Sequence, residues 1–352
     1  MTKKNIVHVV GTGTIGEPLI ALFCDFREKW GIDEVTFHKR TPSGDDRAMI
    51  NSLLARGARL VADEQARDDF ARFGHRVSYT ADEAIERATV VVDCTPAGNE
   101  NKVTCYQRVK GPKGFLAQGS EFGFGKPYAL GINDEVQSPD ERFVQIVSCN
   151  THNISVLLKT LASVDGKMSL DAAQFVCMRR ANDVSDAKSF LAAPQAGKHD
   201  DPEFGTHHAR DAYHIFQTLG EKLNLFSSAI KINTQYMHTL WFTLRLAHET
   251  TLEEAKTLLR NNARVATTNK RSVNQIFSFG RDHGYYGRIL SQTVVPLSTI
   301  AMPDARTIVG FCYTPQDGNS LLSSVAATLR YLDASKVDER MDVLRPHIFR
   351  EI

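Results

Sequence analysis

Through the first half of the chain, short apolar runs alternate with stretches whose apolar residues recur at helical spacing. Residues 5–10 are one such run and predict a buried strand, which ends in Gly11-Thr12-Gly13-Thr14-Ile15-Gly16. Leu19, Ile20, Leu22, Phe23 and Phe26 then mark one apolar face of a helix running to Trp30. Further strands are predicted at residues 34–38, 59–62, 77–80, 89–93, 114–118 and 142–147, with helical segments between most of them. Strands alternating with helices predict a parallel, doubly wound sheet. Beyond Cys149 the pattern changes. A helix is predicted from Asn153 to about Leu161, then strands at 174–178, at 229–232 and up to Leu246, with fewer helices between them. That predicts a mixed or antiparallel α+β unit. Residues 186–206, rich in Pro, Gly, Ala and His, read as a long loop, and loops of that length inside a domain usually carry function.

The glycine-rich turn stands in the setting that a dinucleotide site requires, with a strand before it and a helix after it. Gly11 permits the tight turn, Gly13 lets the backbone approach a pyrophosphate, and Gly16 lets helix and strand pack closely, with Thr14 and Ile15 between them. A site selective for NAD usually ends its second strand in a carboxylate that accepts hydrogen bonds from the ribose. Here that strand ends in His38-Lys39-Arg40-Thr41. Two cations and a hydroxyl suit a 2′-phosphate, so the expected cofactor is NADP, with NAD as the alternative. Thr95, Gly98 and Asn99 follow a later strand, where loops line the cofactor crevice.

At 352 residues the chain is expected to form more than one domain, since single cores split beyond about 250–300 residues. The expected division is a Rossmann-type α/β nucleotide domain over 1–149, an α+β catalytic domain over 150–315, and a C-terminal helical segment over 316–352. A net charge of +1 makes nucleic acid a poor partner. Six cysteines without CxxC spacing predict reduced thiols in the cytoplasm, with no disulfide framework and no metal site. The start, Met1-Thr2-Lys3-Lys4 and an apolar stretch, imitates a signal peptide, but His8 interrupts it and glycines follow at once. No apolar run approaches the roughly 18 residues that a membrane span requires.

Candidate chemistry centres on Ser148-Cys149-Asn150-Thr151. A cysteine at a strand-to-helix switch faces free helix N–H groups, which favour the thiolate. Paired with a nicotinamide site, a nucleophilic cysteine points to aldehyde oxidation through a thioester: attack on the carbonyl, proton removal as hydride leaves, and donors for the oxyanion. His238, amid mostly apolar neighbours, is the expected base. Arg179, Arg180, His207 and His208 lie in polar segments suited to an anion, since forked guanidiniums recognise phosphate oxygens.

Taken together, these residues resemble the archaeal-type (type II) glyceraldehyde-3-phosphate dehydrogenases through nearly the whole chain. The Ser-Cys-Asn-Thr-Thr of that family appears here as Ser148-Cys149-Asn150-Thr151-His152. Its Asp-x-Thr-Pro-x-Gly appears as Asp93-Cys94-Thr95-Pro96-Ala97-Gly98, and its Phe-Gln-Gly-Gly-Glu-Lys as Ala117-Gln118-Gly119-Ser120-Glu121-Phe122. Arg-Arg-x-x-Asp, Ser-His-His and Leu-Met-His correspond to Arg179-Arg180-Ala181-Asn182-Asp183, Thr206-His207-His208 and Tyr236-Met237-His238. The resemblance implies Cys149 as nucleophile and His238 as the catalytic histidine. It implies cofactor contacts at Gln118 and Gly119, and substrate contacts at Asn150, Thr151, Arg179, Arg180, His207 and His208. It further implies glyceraldehyde 3-phosphate as substrate, release of the acyl group by inorganic phosphate, a place in glycolysis or gluconeogenesis, and a homotetramer. It also implies that the last helix, near 320–332, returns to the nucleotide domain.

Departures fall at His152, Asn153-Ile154 and Phe122, and at Thr314-Pro315-Gln316-Asp317, where the family has His-Gln-Glu-Ser. They leave open another phosphorylated aldehyde or semialdehyde, or release by water. A protein that only senses the NADPH ratio would need neither Cys149 nor His238.

Overall fold

In the computed structural model the described residues are 4–182, 190–315 and 317–352. Met1 to Lys3, the stretch 183–189, whose last four residues open the expected long loop, and Gln316 lie outside them. The chain divides into two compact units. The first comprises Met1–Lys126, Gln137–Ile146 and Ser323–Arg345, and the second Pro127–Val136, Val147–Leu322 and Pro346–Ile352.

The first unit is built on a sheet of eight strands: β1 (Ile6–Val10), β2 (Glu34–His38), β3 (Arg59–Ala62), β4 (Tyr79–Thr80), β5 (Val90–Asp93), β6 (Gly114–Gln118), β7 (Lys126–Tyr128) and β8 (Phe143–Ile146). Their order is β4-β3-β2-β1-β5-β6-β8-β7. Each neighbouring pair from β4 to β8 runs parallel. Parallel strands covered on both faces need continuous apolar runs, as in Ile6-Val7 and Val90-Val91-Val92, all buried. Strand order reverses at β1, between β2 and β5, and the crevice at such a switch point takes nucleotides. The first helix, Gly16–Asp25, buries Leu19, Ile20, Leu22 and Phe23. The helical pattern continues after a break at Phe26 as a short turn, Arg27–Trp30. Thr80 starts the helix Ala81–Arg87 with a reciprocal cap: its hydroxyl accepts from the Glu83 N–H, and the Glu83 carboxylate accepts from the Thr80 N–H.

The second unit carries a mixed sheet and a small hairpin, β9 (Ser163–Val164) with β10 (Lys167–Met168). The sheet contains β11 (Leu170–Arg179), β12 (Gln195–Ala196), β13 (Leu225–Lys231), β14 (Thr239–Leu246), β15 (Val265–Thr268), β16 (Thr293–Pro296), β17 (Ala301–Asp304) and β18 (Thr307–Tyr313). The order is β12-β13-β11-β14-β18-β16-β15, with β17 beside β18. β11 runs parallel to β13 and antiparallel to β14. Phe175, Leu240, Phe242, Leu244 and Ile308 from these strands pack with Ile154, Leu157 and Leu158 and with Ile215 and Phe216. The chain therefore has the expected fold class, a doubly wound nucleotide-type sheet plus a mixed α+β sheet.

Two expectations need correction. The helix predicted from Asn153 begins at Cys149 and runs to Leu161. Ser148 caps it: extended in backbone, it accepts from the Thr151 N–H at 3.4 Å through Oγ and from the His152 N–H at 2.9 Å through its carbonyl. The long segment read as loop, 186–206, holds the two residues of β12 and leads into a helix, His207–Gln217. Ser227 anchors the start of that helix, its Oγ 2.6 Å from Thr206 Oγ1 and accepting from the Ala209 N–H at 3.1 Å.

The glycine-rich turn is sterically asymmetric. A Cβ on Gly16 would lie 2.1 Å from the Gly11 carbonyl oxygen, whereas one on Gly13 would meet nothing within 4 Å. Gly16→Ala is expected to destabilise the protein by about 1–3 kcal/mol, the typical cost of overpacking, while Gly13→Ala keeps the wild-type melting temperature. Equal melting temperatures for the two variants would refute the tight approach at Gly16.

Candidate active site

Cys149 is the first residue of a helix buried almost all round, from Asn150 to Leu158. Its neighbours in the first turns are polar, so each must find a partner inside the fold. Asn153 Nδ2 donates to Thr314 Oγ1 at 2.7 Å, and Thr314 Oγ1 donates to Asn150 Oδ1 at 3.0 Å. A hydroxyl has one proton, so this chain has a fixed direction. It turns the Asn150 oxygen inward and leaves Nδ2, a donor, for a ligand. Asn319 Nδ2 lies 3.0 Å from the carbonyl oxygens of both Cys149 and Gln292, and 3.4 Å from Asn153 Oδ1. Thr151, fully buried, contacts Ser148 Oγ at 2.9 Å and the His208 carbonyl at 3.5 Å. His152 is fully buried as well, with Nδ1 3.0 Å from the Ser148 carbonyl, and burial lowers its pKa to about 4.

The thiol does not behave as its place on the helix predicts. Burial, and then the negative charge of Asp317, push Cys149 up to about 11, against the lowering effect of Arg180, the Asn150 N–H and Arg179. The expected resting thiolate is therefore corrected to a thiol. The helix N-terminus is outweighed by desolvation and by a carboxylate from elsewhere in the chain.

His238 immediately precedes β14 and is half-buried. Its Nδ1 accepts the Arg180 N–H at 3.0 Å, and its carbonyl accepts the Thr314 N–H at 3.0 Å. Burial, then Arg180 and Arg179, lower its pKa to about 3, so the ring is neutral. With Nδ1 accepting, the ring proton sits on Nε2. As placed, the ring turns its Nε2 side, carrying the proton, away from the Arg180 N–H.

Arg179, at the end of β11, is exposed, whereas Arg180 is buried, with Nη2 3.9 Å from Asp317 Oδ1. The rings of His207 and His208 lie 3.9 Å apart. Burial, then Arg179 and Arg210, lower His207 to about 4. His208 is pushed well below its ordinary value by burial, then by His207, Arg179 and His238. His208 is 3% exposed, and neither ring nitrogen has a hydrogen-bond partner among the described residues. Arg210 forks onto Asp211 Oδ1 at 3.1 and 3.0 Å. Arginine charge beside imidazoles held neutral is what an anion would relieve.

In the first unit, Gly11 has φ 90°, and the Thr95 N–H and Oγ1–H both donate to Asp93 Oδ1, at 2.9 and 2.6 Å. Asp93 also accepts from Asn101 and Tyr106, at 2.7 Å each. A Cβ on Gly98 would crowd Ala117 at 2.9 Å, and the Asn99 N–H donates to Glu121 at 2.8 Å. Gln118 Nε2 donates to Ser324 Oγ, and Gly119 has φ 83°. Lys39 Nζ pairs with Asp46 at 2.9 Å, His38 Nε2 lies 3.2 Å from Asp63, and Arg40 and Thr41 are exposed. The open face at Gly13 fits the approach of a dinucleotide pyrophosphate. Lys39 would have to share its charge between Asp46 and a 2′-phosphate.

Sequence reasoning passed over Gln292 and Asn319 and gave Asn153, Thr314 and Asp317 no role. The signal was partial: Asn153 and the stretch 314–317 both stood out as departures from the family pattern, and the fold brings the two departures into contact.

The fold class and the relatives agree on an NAD(P)-dependent oxidoreductase similar to the glyceraldehyde-3-phosphate dehydrogenases. No protein-family profile matches the chain. It is similar to glyceraldehyde-3-phosphate dehydrogenase 1 of Methanosarcina barkeri, 26% identical over 80% of this chain and 79% of that protein. Similarity to the glyceraldehyde-3-phosphate dehydrogenase of Methanococcoides burtonii is 29% over 81% and 80%, and to that of Sulfolobus acidocaldarius 23% over 69% and 70%. The resemblance to archaeal-type enzymes drawn from the motifs therefore holds over most of the chain. No helix among the described residues is long and apolar enough to cross a membrane.

Asp317→Asn is expected to move the alkylation profile of Cys149 to lower pH, because a negative charge that raises the thiol is removed. Rates with iodoacetamide between pH 7 and 11 test this, and an unmoved profile would detach Asp317 from Cys149. Acid should also destabilise the fold. His152, His207 and His238 titrate near 6.5 when unfolded but near 4, 4 and 3 when folded, so the unfolded chain binds more protons below about pH 6.5. The urea midpoint should fall steadily from pH 7 to pH 4.5, and a flat midpoint would mean these rings are not buried neutral.

Proposed function

We propose that the chain is an NADP-preferring aldehyde dehydrogenase that oxidises a phosphorylated aldehyde, with glyceraldehyde 3-phosphate the leading substrate, through a thioester on Cys149. The observation that carries this reading is the setting of Cys149: first residue of a capped helix, with Arg179, Arg180, His207, His208 and His238 from the same unit in its electrostatic neighbourhood or one group beyond. The relatives' names supply the substrate, and the cluster of Arg179, His207 and His208 supplies the chemistry for its phosphate.

In this reading the Cys149 thiol gives its proton to solvent, helped by the charges of Arg179 and Arg180, and the thiolate attacks the aldehyde carbon. The developing oxyanion is held by His238 Nε2–H and by Asn150 Nδ2, two donors set by fixed hydrogen bonds behind them. A bound nicotinamide would supply the hydride acceptor. Gly11, Gly13 and Gly16 would hold its pyrophosphate, with Thr14, Ile15, Thr95, Gly98, Gln118 and Gly119 around the crevice. Lys39, Arg40 and Thr41 would take the 2′-phosphate. A cytoplasmic homotetramer accords with this reading.

Cys149→Ser should retain NADPH binding and form no acyl adduct detectable by mass spectrometry after mixing with glyceraldehyde 3-phosphate. An adduct on another cysteine, or an active variant, would end the mechanism. Removing Lys39 and Arg40 together should weaken NADPH binding at least tenfold by titration and leave NADH nearly unchanged, since charge-assisted hydrogen bonds are worth about 1.5–3 kcal/mol each. Equal loss for both cofactors would refute the 2′-phosphate site. Arg179→Ala should raise KM for the phosphorylated aldehyde far more than for an uncharged analogue, and equal effects would make Arg179 structural.

A further inference from the structure

Asp317 occupies a costly position. It is 6% exposed and has φ 57°, in the left-handed region that aspartate enters more readily than most side chains. A buried carboxylate needs compensation, and Arg180, itself buried, provides it from 3.9 Å. Two residues further on, Asn319 bonds the Cys149 carbonyl at 3.0 Å, which fixes this turn against the start of the nucleophile's helix. A buried charge within electrostatic reach of Cys149, on a turn tied to the start of its helix, points to a role in the chemistry.

The arrangement bears on how an acyl group would leave Cys149. Inorganic phosphate is an anion and needs uncompensated positive charge, yet Arg180 is already set against a carboxylate. Water is neutral, and a carboxylate can accept its proton. In the motif this stretch resembles, the corresponding residue is an uncharged Ser.

We propose that Asp317 is the general base of a hydrolytic deacylation, so that the product is a free carboxylate and not an acyl phosphate. The proposal rests on the acyl-enzyme reading above. Water oxygen bonds to the thioester carbon, and its proton passes to the Asp317 carboxylate. The C–S bond then breaks with its electron pair going to sulfur, and the proton on Asp317 passes to that sulfur. Nothing is oxidised or reduced in this step. The high thiol pKa fits it, because the sulfur retains the returned proton.

The test uses the full chain with NADP and glyceraldehyde 3-phosphate in ¹⁸O-water, with and without inorganic phosphate. The expected result is 3-phosphoglycerate carrying ¹⁸O, formed at a rate independent of phosphate. Turnover that requires phosphate, with an acyl phosphate as product, would overturn the hydrolytic proposal and leave the acyl-enzyme reading standing. Absence of both NADPH and an acyl adduct on Cys149 would overturn the two together. Asp317→Asn should slow the steady state about a hundredfold or more, the usual worth of a positioned base, while the first turnover still releases NADPH as a burst. Asp317→Ser should make turnover respond to added phosphate. A steady-state rate unchanged in Asp317→Asn would remove Asp317 from the mechanism.

Discussion

The second unit depends on one constraint: the helix Cys149–Leu161 is buried while its first two turns are polar. Asn150, Thr151, His152, Asn153 and Ser155 are each no more than 1% exposed. Buried polar groups left unpaired cost about 1–3 kcal/mol each, so surrounding elements must answer them. Thr314, just after β18, and Asn319, in the first turn of the helix Gly318–Asp333, do so for Asn150, Asn153 and the Cys149 carbonyl. Ser148 does so for the helix's own first N–H groups. Cys149 is thereby held on a rigid frame, and the amide of Asn150 is turned to donate.

The same burial sets the electrostatics. Taking Cys149 and the histidines out of water disfavours every charged form, so the thiol rises and His152, His207, His208 and His238 fall. Arg179 and Arg180 act in both directions: they pull the thiol down and push His238 further down. The resting site is thus a neutral thiol and neutral imidazoles beside permanent guanidinium charge. An anionic substrate would lower the cost of charge across the whole cluster. Substrate binding and activation of the nucleophile would then be coupled through one field.

Two of the departures from the family motif meet in the fold. Asn153 and Thr314 bond each other, and Asp317 and Asn319 flank the start of the helix that reaches the Cys149 carbonyl. One altered residue in a buried polar network forces changes in its partners, because a half-satisfied network is worse than none.

Much was legible in the sequence where the determining physics is local. β2, β3 and β6 were predicted to the residue, because apolar runs between turn residues set a buried parallel strand. The GxGxxG turn, the Cys149 motif and the arginine and histidine pairs were likewise found from order and spacing. The start of the Cys149 helix was also within reach, since Ser148 and Thr151 stand at cap spacing, but the apolar periodicity begins only further on and drew the boundary late. Other features depend on contacts between residues distant in sequence. Tertiary structure alone decided that Asp317 sits by Arg180 and raises the Cys149 thiol, and that Thr314 orients Asn150. It also decided that an Arg180 N–H claims one nitrogen of His238, and that burial turns an expected thiolate into a thiol. A pKa or a tautomer is set by every charge and donor within a few ångströms, and the chain brings those together only when it folds.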